Sequence, residues 1–274
     1  MRDLISRLGA LRRFDLGQSW RAGMPHYPSH PPYMHSLTKL HGDFVLANGA
    51  SSASDSIALG THTGTHIDAL CHYSLNGRLH GGSDVAQAQD WTTGIAAHGA
   101  ESLPLLLCRG VLLDVARLLG DRPLTPDTAI DAALLERAAA AAGTRLERGD
   151  IALIRTGWGQ YWGDPRRFVN GLRMPGVTLE GARWLSEHGV AAAGSDTLSF
   201  ELLPSPHMEV HVHLLVEAGI QILECLALEE LSEASVSEFL FVAAPLKLVG
   251  ATASPLRPYA LAEVEHTMET EPRP

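Results

Sequence analysis

Between Gly110 and Gly250 the chain alternates short apolar runs with longer amphipathic ones, and this alternation limits the folds open to it. "GVLLDVARLL" from Gly110 reads as a buried strand followed by a loop. "TPDTAIDAALLERAAAAAG" then predicts a helix, with Thr125 as N-cap, Pro126 in the first turn and Gly143 at the stop. "DIALIRTGW" from Asp150 is strand-like, "TLEGARWLSEHG" is a second helix ending at Gly189, and "VAAAGSDT" is another strand. Pro206 to Gly219 predicts a third helix. "IQILECL" alternates with period two and puts Ile220, Ile222 and Glu224 on one face. "EFLFVAAPLKLVG" closes the series as a buried strand. Mixed strands and helices without a long linker or an internal repeat imply a single α/β or α+β domain.

Composition narrows the partners. A chain of 274 residues, 45% apolar and 19% charged, can bury a substantial core. A formal net charge of -10 argues against nucleic acid. The start, "MRDLISRLGALRRFDLG", has no apolar signal region, and Leu4, Leu8 and Leu11 predict an amphipathic helix. No run approaches the roughly 18 apolar residues of a membrane span. Three scattered cysteines (Cys71, Cys108, Cys225) do not suggest a disulfide framework, so the expected setting is the cytoplasm. "MPHYPSHPPYMHS" cannot be a regular helix or central strand and reads as an irregular loop of the kind that lines sites. Residues 1 to about 35 therefore read as an N-terminal arm with little core of its own. Such an arm would pack on a neighbour, in a homodimer or homotetramer.

The chemistry concentrates in "HTGTHIDALCH", residues 62–72. Gly64 and the β-branched Thr63, Thr65 and Ile67 oppose a helix. On a straight strand His62 and His66 would stand about 13 Å apart, so the chain must bend, and Gly64 is where it can. His66 and Asp68, two apart, share a strand face about 6.6 Å apart at the backbone. His62, His66, Asp68 and His72 share one parity. Two imidazoles and a carboxylate form a first shell for zinc, manganese or iron. The alternative of a Cys71–His72 nucleophilic dyad is poorly built, since adjacent strand residues point to opposite faces. Downstream, His207 and His211 are spaced i, i+4 on the expected helix. Glu224, among isoleucines, needs a counter-charge that a metal would supply.

"HTGTHIDALCH" resembles the H-x-G-T-H-x-D-x-x-x-H signature of the cyclase-like metal-dependent hydrolases, a family with bacterial kynurenine formamidases, isatin hydrolases and lactam and lactone hydrolases among its members. "GSDTLSFE" resembles the family's aspartate–serine segment, "EVHVHLLVEAGIQILECL" its second histidine–glutamate segment, and "DLGQSWRAGMPHYP" its opening strand and substrate loop. The resemblance implies a compact α/β domain around a β-barrel-like mixed sheet with flanking helices. It implies His62, His66 and Asp68 as metal ligands, and His211 and Glu224 as ligands of a second ion in members that bind two. His213 competes with His211 in the alignment. His72 would be the proton shuttle. Trp20, Met24, Tyr27 and Ser199 would contact a small-molecule substrate. One or two Mn2+ or Zn2+ ions per chain would generate a hydroxide that attacks an activated amide. A cyclic amide of the isatin or lactam type is the preferred substrate, with N-formylkynurenine as the alternative. Leu70 stands where many members have proline, which bears on the pocket wall and not on the ligands.

Two other classes compete. His66, Asp68 and a distant histidine could form the facial triad of an iron oxygenase, to which His62 and His72 would be surplus. A non-catalytic metal site would favour a closed, cysteine-rich shell, unlike this open cluster.

Overall fold

Ile151–Arg155 is buried at every position, as a central parallel strand flanked on both faces must be. In the computed structural model, which describes residues 1–264, this strand sits at the middle of a nine-stranded sheet. The strands are β1 (Arg12–Asp15), β2 (His66–Asp68), β3 (Leu106–Asp114), β4 (Ile151–Arg155), β5 (Ala192–Ser195), β6 (Gln221–Glu224), β7 (Glu238–Ala243), β8 (Ala253–Pro255) and β9 (Tyr259–Ala262). Their order is β1-β9-β7-β3-β4-β5-β6-β2-β8. The four strands β3 to β6 run parallel, and every other pairing is antiparallel. Only residues 256–258 separate β8, at one edge, from β9, next to the other. So short a link requires the sheet to curl until its two ends meet. Leu256 N donates to Thr65 O at 2.9 Å, and Gly17 bridges Leu226 across the gap. The architecture is a mixed α/β domain around a half-barrel, as the resemblance implied.

Helices cover the outside. Along with α1 (Arg2–Ala10) there are α2 (Ala132–Ala141), α3 (Leu179–Glu187) and α4 (Glu209–His211), the last continuing as a π-helical Val212–Ala218. Leu113, Ile154, Ala193 and Ile222 of the sheet pack on Leu135, Leu185 and Leu214 of these helices. The concave face is filled by Phe14, Ile67, Leu153, Leu223 and Phe241. Ile67 is completely buried there. Burying such a side chain is worth about 1.5–3 kcal/mol, and a one-residue slip would lose it. That fixes the register in which His66 and Asp68 point the other way.

Several boundaries differ from the sequence reading, each for a local reason. The helix expected from Thr125 begins at Ala132, because Asp131 is the cap and accepts from Leu134 N at 2.8 Å. Ala129–Ile130 pairs instead with Gly176–Val177. The stretch after β3 is not a loop but a short helix, Val115–Leu118, capped by the Asp114 side chain. The third helix starts at Glu209, so His207 lies before it and is exposed. The last run leaves the sheet after Ala243; Leu246 and Val249 are exposed, and the unanticipated β8 and β9 follow. Met34–Lys39, partly within the expected irregular loop, pairs with Ser54–Ala58 as an exposed hairpin. The arm of residues 1–35 divides: α1 buries no side chain, whereas Phe14, Leu16 and Met24 belong to the core. No helix among the described residues is long and apolar enough to cross a membrane.

Candidate metal centre

Gly64 adopts φ +73°, and a Cβ there would meet Trp20 Nε1 at 2.5 Å, so the position excludes a side chain both by conformation and by space. The bend it makes turns His62 back over β2. His62 and His66 ring centroids are 5.1 Å apart. His62 Nδ1 lies 2.8 Å and His66 Nε2 3.4 Å from Asp68 Oδ1. Sheet register adds the second carboxylate: Glu224 of β6 pairs directly with His66 of β2, and its Oε2 is 3.5 Å from His66 Nε2. The α4 turn brings His211 Nε2 to 3.3 Å from Glu224 Oε1. His62, His66, Asp68 and Glu224, from segments far apart in sequence, therefore gather around one buried point, and His211 adjoins it through Glu224.

Three of the four imidazoles are tied through the nitrogen facing away from that point. His66 Nδ1 bonds Gly64 O at 2.8 Å, His62 Nε2 bonds Thr252 Oγ1 at 2.9 Å, and His211 Nδ1 bonds Glu201 Oε2 at 2.9 Å. Such outer bonds fix ring orientation in metal-binding histidines. The inward atoms are left over. His66 Nε2 and both Asp68 oxygens are buried with no hydrogen-bond partner among the described residues, and the close His62 and His66 approaches to Asp68 lack hydrogen-bond alignment. Unmade buried bonds cost about 1–3 kcal/mol per group. Their convergence fits a cation with nitrogen and oxygen ligands. His66, Asp68 and Glu224 place donor atoms within 4.8 Å of one another, and so do His62, Asp68 and His72.

The charges agree. Burial opposes ionisation of Asp68, but the neighbouring His72, His62 and His66 outweigh it and hold the carboxyl well below its ordinary range. Burial likewise opposes a charge on His211, yet Glu201 and Glu224 raise it to about 10. The carboxylates thus attract positive charge to the floor of the site, which a divalent ion satisfies.

His72 differs from the other three. It lies past the end of β2, with its ring 3.9 Å from that of His62. Its backbone N donates to Ala69 O, but the ring has no hydrogen-bond partner among the described residues. Burial, working against the pull of Asp68, pushes it down to about 3. It faces a cavity of about 180 Å3, also lined by Tyr27, His30, Tyr73, Ser199 and Met208. Of the residues expected to contact substrate, Tyr27 and Ser199 line this cavity. Met24 is buried in the adjoining aromatic cluster and Trp20 packs over Gly64, so the structure does not bring those two to the cavity wall. His213 faces away, bonded to Ser186 and Glu217, which leaves His211 at the centre. Exposed His207 is not part of it. Cys71 points to Ala251 O and burial raises its thiol to about 11, so it forms no dyad with His72.

Sequence reasoning missed the outer supports. Glu201 ends the quoted "GSDTLSFE" segment, and its Oε1 also accepts from Ser205 Oγ at 2.6 Å. Thr252 is 190 residues from His62 and carries no signal in the sequence. Asp196 in the same segment accepts from Thr156 N and Oγ1 at 2.9 and 2.7 Å, and burial raises it to about 6. It braces the turn after β4.

Comparison with known proteins agrees with this arrangement. Residues 14–202 match the model of the Cyclase family, and the chain belongs to that family. The match contains the His62–His72 segment and stops before His211 and Glu224. A kynurenine formamidase of Paracidovorax citrulli is 28% identical over 245 residues, covering 89% of this chain and 94% of the relative. A kynurenine formamidase of Delftia acidovorans is 24% identical, covering 90% and 95%. The crystal structure of a novel cyclase superposes with a TM-score of 0.84 at 31% identity, over 95% of this chain and 90% of that one. Isatin hydrolase A from Ralstonia solanacearum shares the fold, with a TM-score of 0.73 at 24% identity over 96% and 97%.

Proposed function

We propose that the protein is a metal-dependent hydrolase of non-peptide C–N bonds, acting on a cyclic amide of the isatin or lactam type. The observation that carries this reading is one untied imidazole, His72, beside a floor of tied ones. His62, His66, Asp68, His211 and Glu224 would hold one or two divalent ions, Mn2+ or Zn2+. When bound, such an ion supplies Lewis acidity, polarising an oxygen and lowering the pKa of water. His72 faces the cavity and takes a proton from the attacking water. It then delivers that proton to the leaving nitrogen, a role open to a ring that no hydrogen bond fixes in one tautomer. Tyr27 and Ser199 border the substrate.

The cavity supports a small substrate, since drug-sized ligand pockets run to about 300–1,000 Å3. A one- or two-ring amide fits that scale. The kynurenine formamidase relatives favour the second reading, hydrolysis of an aryl formamide. An iron oxygenase needs three protein ligands, and the five gathered here plus His72 exceed that need. The test is an anaerobic hydrolysis screen of manganese- and zinc-loaded protein against isatin, N-formylkynurenine and simple lactams. Ring-opened product from isatin or a lactam is expected. Turnover of N-formylkynurenine alone would replace the cyclic-amide reading with the formamidase one, and no hydrolysis of any of them would overturn both.

The same proposal covers setting and assembly. All three cysteines are free thiols, which suits a reducing cytoplasm. Copies associate as a homodimer or homotetramer. In support, α1 exposes Leu4 and Ile5, and the hairpin of Met34–Lys39 with Ser54–Ala58 exposes Met34, Leu37 and Ile57. A two-stranded hairpin is marginal in water by itself. A monomer in sedimentation velocity at micromolar concentration would refute this.

A further inference from the structure

The segment from Tyr27 to Pro32 approaches the cavity from outside the sheet, and its backbone is tied down at both ends. His30 N donates to Tyr27 O at 2.8 Å. Pro31 O accepts from Gly60 N at 3.1 Å and from Thr63 Oγ1 at 3.1 Å. Pro31 and Pro32 restrict the backbone further. The His30 ring is thereby fixed to the turn that carries His62, with centroids 5.1 Å apart, and it packs on Tyr27 at 5.3 Å. Little ordering remains to be done when a ligand arrives.

His30 lines the same cavity as His72 and Ser199. Its Nδ1 is buried and has no hydrogen-bond partner among the described residues. It belongs to neither group of converging donor atoms that could hold an ion. Nothing in the hydrolysis derived above uses it. A buried polar atom left unpaired in a binding cavity is most economically satisfied by the ligand. In the proposed reaction the oxygen of the carbonyl whose carbon is attacked would be polarised by the ion, and the leaving nitrogen would take its proton from His72. The polar atom left for His30 is a different oxygen of the substrate.

We propose that His30 is a specificity-determining residue, whose Nδ1–H donates a hydrogen bond to a second carbonyl oxygen of the substrate, one not attached to the carbon under attack. The substrate class narrows to amides that carry a neighbouring carbonyl, such as ring diones, over plain lactams. This inference rests on the hydrolytic reading of the same cavity, and its test separates the two.

The test uses isatin and 2-oxindole, which share a ring system and differ in the second carbonyl. Binding to manganese-loaded protein is read by stopped-flow quenching of tryptophan fluorescence, ahead of any turnover. Wild-type protein should bind isatin about tenfold more tightly than 2-oxindole, the worth of one good hydrogen bond. His30→Leu should reduce that preference to within about twofold while leaving 2-oxindole affinity and manganese content unchanged. His30→Asn keeps a polar atom near the Nδ1 position and should restore most of the preference. In turnover, His30→Leu should raise KM for isatin with little change in kcat. Equal weakening of both ligands by His30→Leu would overturn the proposal, as would a wild-type protein with no preference for isatin. A preference that vanishes in His30→Leu without any product formed would uphold His30 and sink the hydrolytic reading alone.

Discussion

The floor and the mouth of the cavity use the same side chain in opposite ways. On the floor, His62, His66 and His211 are each tied by a hydrogen bond on the ring nitrogen that faces away, to Thr252, Gly64 and Glu201. His72 and His30, which we call the mouth, line the same cavity, but the His72 ring and His30 Nδ1 have no hydrogen-bond partner among the described residues. The contrast arises from position in the fold. His66 sits on a strand paired with that of Glu224 and His211 on a helical turn, while His62 is set by the bend at Gly64 that precedes β2. His72 follows the end of β2, and His30 sits in a proline-rich loop. A tied imidazole keeps one lone pair aimed at one point, which suits a ligand. An untied one can accept a proton at one moment and release it at the next, which suits an acid–base.

Substitution on the floor should have the largest effect. Asp68 faces His62, His66 and His72 and shares the floor with Glu224, so Asp68→Ala removes the central carboxylate. It should lose most of the metal and all measurable turnover, read by elemental analysis of the purified protein alongside the hydrolysis assay. A full metal complement in that variant would break the floor assignment. The mouth comes next. His72→Ala should keep metal and fold but lose about 100- to 10,000-fold in kcat, with a much smaller change in KM. Near-normal turnover would leave the mouth without its acid–base. The supports behind the floor should matter least. Glu201→Gln keeps the shape but weakens the charge behind His211, and metal affinity should fall about 10- to 100-fold. Unchanged affinity would show that the tie is not needed to orient the ring.

The floor was largely legible in the sequence and the supports were not. Parity around Gly64 placed His62, His66 and Asp68 together, because a glycine bend and a two-residue strand repeat are local rules. The period-two pattern of "IQILECL" likewise put Glu224 on a face with Ile220 and Ile222. The resemblance favours His211 over His213, and the fold shows His213 bonded instead to Ser186 and Glu217. Thr252, Glu201 and His30 became visible only in three dimensions, since their roles depend on contacts between distant segments. The curl of the sheet was hidden for the same reason. It shows in the short link between β8 and β9, where Pro255 at the end of β8 and Pro258 in the link mask any strand pattern.

The central claim is that the tied imidazoles hold the ion and His72 does not. Crystals of manganese- or zinc-loaded protein, measured at the metal's absorption edge, locate the ion without reference to activity. The account predicts an anomalous peak about 2.0–2.3 Å from His66 Nε2, His62 Nδ1 and an Asp68 oxygen, with the His72 ring outside bonding distance. A peak bonded to His72, or a loaded crystal with no peak between His66 and Asp68, would contradict it.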